Sequence, residues 1–297
     1  AVLQSGMRAN LSRGLQDLPG GDTHRLREAC DFVRRWQGQA EGRIKCWLAP
    51  HSPFTCSTEY LKKVMETAAE LGVGMQIHIA ETREEFNNSL MEHDKTPIER
   101  LADLGFFDTV PVLAAHCVWI TEEDRTIIKQ KNIRVVHNPQ SNMKLGSGIA
   151  PIPALMANGV EVALGTDGAA SNNNLDMWEE MRAAAMLHKV NLTNPTLMPA
   201  AQVLQMTGPM GARAIGFEGC GTIAAGQKAD LIMINLDQAN MRPLIDPISQ
   251  LVYSAGAGNV DTVMVDGQLL MRHREMLTLD EERILFEVQK AGEELMR

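Results

Sequence analysis

Six short apolar runs recur along the chain, each followed by a stretch with helical patterning: Met7–Ser12, Ile44–Ala49, Met75–Ala80, Val112–Val118, Ile133–His137 and Glu161–Thr166. The runs are nearly continuous in apolar residues rather than alternating, as expected of parallel strands covered on both faces. Their starts lie 37, 31, 37, 21 and 28 residues apart, close to the ~30 residues per unit of an eight-unit (β/α) barrel of ~250 residues. Helix boundaries fall between them. Thr96-Pro97-Ile98-Glu99 combines a Thr cap, a Pro at the first helical position and a Glu three residues after the cap. Thr121-Glu122-Glu123-Asp124 places three acids in a first turn, where the helix dipole favours them, and reads as a solvated helix start. Gly72 closes a helix over 59–71, and Asn158-Gly159 closes the one before the last strand. The opening Ala1–Gly6 reads as a helix tail stopped by Gly6.

After about Gly216 the pattern changes. Gly219–Gly226 is rich in turn residues, and Ala229–Ile234, Val260–Val265 and Gln268–Met271 are short apolar runs, the last two joined by Asp266-Gly267, a hairpin signal. The expected organisation is α/β, with residues 1–216 a partial (β/α) barrel, 217–277 part of a β-sandwich and 278–297 a closing helix. Six strands are two short of a closed barrel, so either the sheet is smaller and open or two units lie upstream of Ala1. The lack of an initiator Met favours the second.

Composition narrows the class. The chain has 297 residues, 44% apolar and 22% charged, which excludes disorder as its main state. A net charge of −9 argues against general binding to nucleic acid or anionic membranes, and no apolar run reaches the roughly 20 residues of a membrane span. Five scattered cysteines, with no CxxC pair, read as reduced thiols in a cytoplasm. The 18 methionines read as packing residues.

The chemistry sits at the strand ends. The six runs end in Ser12-Arg13, Pro50-His51, His78–Glu81, His116, His137-Asn138-Pro139 and Thr166-Asp167-Gly168. One His there is usually structural, but four His, a Glu and an Asp at successive strand ends need partners if buried, and a shared metal ion would supply one. Imidazole and carboxylate suit zinc, which lowers the pKa of bound water and so favours hydrolysis. Neither a phosphate-binding Gly loop nor a GxSxG elbow is present. His137 either lines the pocket or fixes a turn, the second being the plainer reading. Asn142 and Lys144 stay unassigned, and His24, His93, His188 and His273 read as surface or packing residues.

Pro50–Ser57, His78-Ile79-Ala80-Glu81-Thr82 and Ala114–Cys117 resemble the amidohydrolase superfamily. His137–Leu145, Gly148–Pro151 and Leu164–Asn173 make the chain similar to its methylthioadenosine/S-adenosylhomocysteine deaminase branch, close to the chlorohydrolases. The resemblance runs from about Met7 to the C-terminus. It implies a zinc (β/α)8 barrel, here with about six units, and a β-sandwich built from both chain ends. His78 and Asp167 then match metal ligands, Glu81 the proton-shuttling Glu, and His116 the His that orients water. Arg13, Arg25 and His51 match substrate-holding positions, the two Arg for an amino-acid carboxylate. The implied cofactor is one zinc per full-length subunit, with iron or another divalent metal as alternatives, and the subunits could form a homo-oligomer.

The chain departs from that family in having no HxH pair, which leaves two matched ligands and an expectation of weak zinc binding or none. The resulting expectation is a hydrolytic deaminase of adenine nucleosides in which Asp167 activates water against C6 and Glu81 protonates N1. The rivals are a guanine- or pterin-type deaminase, a triazine chlorohydrolase, and a non-catalytic binding or assembly partner.

Overall fold

The computed structural model describes residues 1–18, 20 and 23–296. Six parallel strand segments follow one another in chain order. The first is split into β1 (Ala9–Leu11) and β2 (Gly14–Leu15), and the second into β3 (Ile44–Cys46) and β4 (Ala49–Pro50). β5 (Met75–Ile79), β6 (Val112–His116), β7 (Arg134–His137) and β8 (Val162–Leu164) complete the set. β1 pairs with β3, β2 with β4, and β5 through β8 form one ladder, all parallel. The two groups are joined where Gln76 N–H donates to the Leu48 carbonyl and His78 N–H to that of His51, each at 2.9 Å. All six expected strands therefore occur in order, and their carboxyl ends share one edge.

Packing explains why these segments are strands. β8 is buried throughout and β6 exposes only Ala115 appreciably. Helix α3 (Thr58–Leu71) covers the sheet with Leu61, Val64, Met65 and Ala68, a spacing that keeps one helical face inward. Ser57 caps its start and Gly72, at φ 63°, ends it. Gly74 enters β5 where a Cβ would lie 2.6 Å from the Trp47 ring and 2.9 Å from the Pro111 carbonyl, so only glycine fits.

Three further helices start on threonine caps: α4 (Arg83–His93), α5 (Pro97–Asp103) and α6 (Glu122–Gln130). The acidic first turn of α6 is only partly solvated. Asp124 is fully buried and accepts from Thr96 Oγ1, tying α6 to the start of α5.

The remaining helices near the site are α7 (Pro139–Leu145), α8 (Ile152–Ala157), α9 (Ala169–Asn172) and α10 (Met177–Asn191). Beyond Gly216 lies an antiparallel sheet. It comprises β9 (Leu231–Ile234), β10 (Val260–Val265), β11 (Gln268–Arg272) and β12 (Glu275–Met276), in the order β12-β11-β10-β9. Asp266 and Gly267, at φ 51° and 81°, form the expected tight hairpin turn. Arg8 joins this sheet to the start of β1 through Asp230, at 2.9 Å, and Asp266, at 3.4 Å. The final helix begins later than Thr278. It spans Glu281–Leu295, capped by Asp280, because the Thr278 hydroxyl donates instead to the Ser5 carbonyl. No helix among the described residues is long and apolar enough to cross a membrane.

Candidate metal and catalytic centre

Four non-glycine residues at the carboxyl ends of β5, β6 and β8 adopt left-handed backbone: Ala80 at φ 53°, His116 at 73°, Cys117 at 47° and Asp167 at 63°. Such residues cost about 1–3 kcal/mol each and persist where packing over-determines them. Here the packed sheet does so. The Ala80 carbonyl accepts from both Val118 and Trp119 N–H at 2.9 Å, and Cys117 N–H donates to Ile79 at 3.1 Å.

The bends turn His78, Glu81, His116 and Asp167 toward one another. His78, His116 and Asp167 each offer a ligand atom, and these atoms lie within 4.8 Å of one another. His78 Nε2 is 3.8 Å from Asp167 Oδ1, and His116 Nε2 is 3.6 Å from Glu81 Oε2. The His51 and His78 ring centres are 5.1 Å apart, those of His78 and His116 5.4 Å.

The far side of each donor is anchored. His78 Nδ1 lies 2.9 Å from the His51 carbonyl, an acceptor only, so Nδ1 carries the proton and Nε2 keeps its lone pair for the centre. His116 Nδ1 lies 2.8 Å from Asn142 Oδ1 in the same arrangement. Asp167 Oδ2 accepts from the Ser141 hydroxyl at 2.7 Å and from Ser171, leaving Oδ1 toward His78. Outer contacts of this kind orient metal-binding histidines and carboxylates. Two neutral imidazoles and one carboxylate, with donor atoms aimed at one space, suit a zinc ion.

Burial disfavours the charged form of Asp167, but the neighbouring His78 and the Ser171 and Ser141 hydroxyls that donate to it outweigh burial and hold the carboxyl well below the usual range. Burial also works against a charged His78, yet Asp167 and the His51 carbonyl raise its pKa overall. Burial lowers that of His116, which is almost fully enclosed, against the pull of Glu81.

The other expected residues are placed as follows. His51 borders the cluster with Nδ1 2.8 Å from Thr55 Oγ1. Arg13 is half-exposed and paired with Glu28 at 2.8 Å, and Arg25 is exposed near the start of α2 (Thr23–Trp36). The Pro19-Gly20-Gly21-Asp22 segment ahead of it, whose sequence reads as a turn, lies outside the described residues apart from Gly20. His137 is fully buried, its Nε2 3.3 Å from that of His188 on α10, so the pair packs behind the centre.

Sequence reasoning missed Ser141, Ser147 and the role of Asn142. Ser141 and Asn142 lie on α7, directly after the His-Asn-Pro segment, and Ser147 just past its end, where small polar residues that are buried are a usable signal. Ser147 donates to Glu81 Oε1 at 3.2 Å. Lys144, unassigned from sequence, holds the turn after β8 through Asn173 and the Ala170 carbonyl.

Comparison with known proteins gives this arrangement its context. Residues 1–270 match the amidohydrolase family. The chain is 48% identical over 298 residues to a 5'-deoxyadenosine deaminase of Methanosarcina mazei, covering all of this chain and 68% of that protein. It is 45% identical over 297 residues to a 5-methylthioadenosine/S-adenosylhomocysteine deaminase of Syntrophomonas wolfei subsp. wolfei, covering all of this chain and 69% of that protein. Among solved structures, an adenosine deaminase from Xanthomonas campestris with bound zinc superimposes with a TM-score of 0.93 at 32% identity, over 99% of this chain and 68% of that one.

Proposed function

Because this chain belongs to the amidohydrolase family, we propose that it is a metal-dependent hydrolytic deaminase of adenine nucleosides: S-adenosylhomocysteine, methylthioadenosine, 5'-deoxyadenosine or adenosine. The observation that carries this reading is the convergence of His78, Glu81, His116 and Asp167 on one space, in a chain 45–48% identical to deaminases of such nucleosides. We read the six parallel units of residues 1–216 as part of a (β/α)8 barrel and 217–277 as part of a β-sandwich, with the helix over Glu281–Leu295 closing it.

His78 and Asp167, with His116 beside them, are the residues that would hold zinc. When bound, the ion supplies a Lewis acid that makes water a nucleophile near neutral pH. His116, fixed by Asn142, orients the water toward the purine C6. Asp167 accepts the water's proton at Oδ1, the oxygen that the two serines leave available. Glu81 protonates ring N1 and is steadied by Ser147. Water adds at C6, Asp167 returns its proton to the amino group, the C6–N bond breaks, ammonia leaves, and the C6 hydroxyl gives its proton back to Glu81. His51 holds the nucleoside, and Arg13 and Arg25 serve the carboxylate of S-adenosylhomocysteine, for which Arg13 must exchange its Glu28 partner.

The test is ammonia release by the zinc-supplemented chain from these nucleosides, from guanine and from a triazine. The expected result is release from adenine nucleosides only. Asp167→Asn and Glu81→Gln should lose most turnover, and Glu81→Gln should keep its zinc. Activity confined to guanine or the triazine would move the assignment to those rivals, and none on any compound would favour a non-catalytic chain.

A further inference from the structure

Helices α4, α5 and α6 share one signature, a Thr cap with an acid three residues on. In α5 and α6 that acid does the ordinary thing. Thr96 N–H donates to Glu99 Oε2 at 2.8 Å, and Thr121 N–H to Asp124 Oδ2 at 2.9 Å, each closing a capping box. In α4 the Thr82 hydroxyl accepts from Glu85 N–H at 3.1 Å as usual, but the carboxylate goes elsewhere. Glu85 Oε1 accepts from Ala80 N–H and Oε2 from Glu81 N–H, both at 2.9 Å. It reaches one and two residues beyond the cap, to the backbone on which Glu81 stands.

That backbone needs holding. Ala80 is fully buried at φ 53°, a conformation that L-residues other than Gly, Asn and Asp rarely adopt. The Ala80 carbonyl is taken by Val118 and Trp119 from the β6 side, while its amide and the next are taken by Glu85. One carboxylate accepting from two successive amides makes two charge-assisted bonds and fixes the peptide plane between them. The Cα of Glu81 follows directly, and its side chain then reaches Ser147 and His116.

We propose that Glu85 is a positioning residue: its carboxylate locks the Ala80–Glu81 turn and so sets where the Glu81 carboxylate stands. It touches neither substrate nor metal. The proposal rests on the deaminase reading for its kinetic arm alone.

The experiment compares the wild type, Glu85→Gln and Glu99→Gln by amide hydrogen exchange, zinc content, and kcat and KM on methylthioadenosine. In Glu85→Gln an amide NH2, which cannot accept a hydrogen bond, replaces one carboxylate oxygen, so one of the two anchors is lost. Exchange at Ala80 and Glu81 should accelerate while that at Met75–Ile77 does not. Since a misplacement of about 1 Å costs on the order of 100-fold, kcat should fall ~10–100-fold, with KM and zinc content within about twofold. Glu99→Gln, which weakens an ordinary cap, should lose stability and keep kcat. Should Glu85→Gln fail to fold, Glu85→Asp keeps the charge but is one methylene too short to reach both amides, and the same results are expected.

Faster exchange with unchanged kcat, or equal kcat losses in the Glu85 and Glu99 variants, overturns the proposal. A wild type that releases no ammonia refutes the deaminase reading alone. Crystal structures of the wild type and Glu85→Gln then decide: a Glu81 carboxylate still bonded to Ser147 in the variant contradicts positioning, and a displaced one supports it.

Discussion

In the parallel sheet, β8 is buried along its whole length and β5 buries Met75, Ile77 and Ile79. In the antiparallel sheet, β9 leaves Ile232 and Met233 52% and 63% exposed, and the helix over Glu281–Leu295 buries nothing. The first region has helices of its own chain on its faces. The second turns apolar side chains to a surface that nothing among the described residues covers. The site follows the packing. Ala80, His116, Cys117 and Asp167 hold left-handed backbone at the ends of strands whose interiors are closed, where strain can be sustained.

The sharpest way to break this comparison is a pair of substitutions. Ile77→Ala opens a cavity in the closed sheet and should cost about 2–5 kcal/mol, whereas Ile232→Ser on the open face should stay within about 0.5 kcal/mol. Urea denaturation of the two variants reads the difference. Equal costs would mean that the antiparallel face is packed as tightly as the parallel one.

A second, smaller effect concerns two buried ionisable groups of the parallel region, both on α10. Burial lowers the pKa of His188 to about 4 and raises that of Glu180 to about 7. The signs oppose. His188 contributes stability that is present above its ordinary value of ~6.5 and is lost as the pH falls toward ~4. Glu180, its folded value raised, contributes stability that is lost as the pH rises from its ordinary ~4.3 toward ~7. Each is worth on the order of 3 kcal/mol across its window, so the two slopes offset in the wild type. His188→Gln should therefore gain on the wild type as the medium is acidified, and Glu180→Gln should gain as it is made alkaline. Denaturation from about pH 7 to 4 checks both, and a His188→Gln profile parallel to that of the wild type would show that the buried imidazole does not titrate there. The seam between the two regions answers to stronger acid. Burial disfavours the charged form of Asp230, but Arg8 outweighs it and lowers the pKa, so the seam holds until the pH falls below ~3.9.

The strands and their chemical ends were legible because an apolar run bounded by a His or an Asp needs only local pattern to be read. His78, Glu81, His116 and Asp167 were found that way. Their anchors were not, because each depends on which residue a distant segment brings opposite. Ser141 meets Asp167 and Asn142 meets His116 across 26 positions, and Ser147 meets Glu81 across 66. Asp124 looked solvated because its turn is acidic, and only the packing of α6 on α5 buries it. His188 was placed with surface or packing residues, and its ring meets His137 from 51 positions away. Glu85 carries an ordinary capping signature, and no local pattern says that its carboxylate passes the cap for Ala80 and Glu81.

The central claim is that His78, His116 and Asp167 form one metal centre although the sequence has no HxH pair. Zinc titration of the apo chain against a competing chelator, read by calorimetry, tests it most directly. The account predicts one weakly held zinc per chain, since His78 and Asp167 are two of the three protein ligands that catalytic sites commonly have and His116 stands beside them to orient water. Binding should be abolished by His78→Ala or Asp167→Ala and weakened by His116→Ala. Absence of zinc uptake, or uptake that survives His78→Ala, would contradict it.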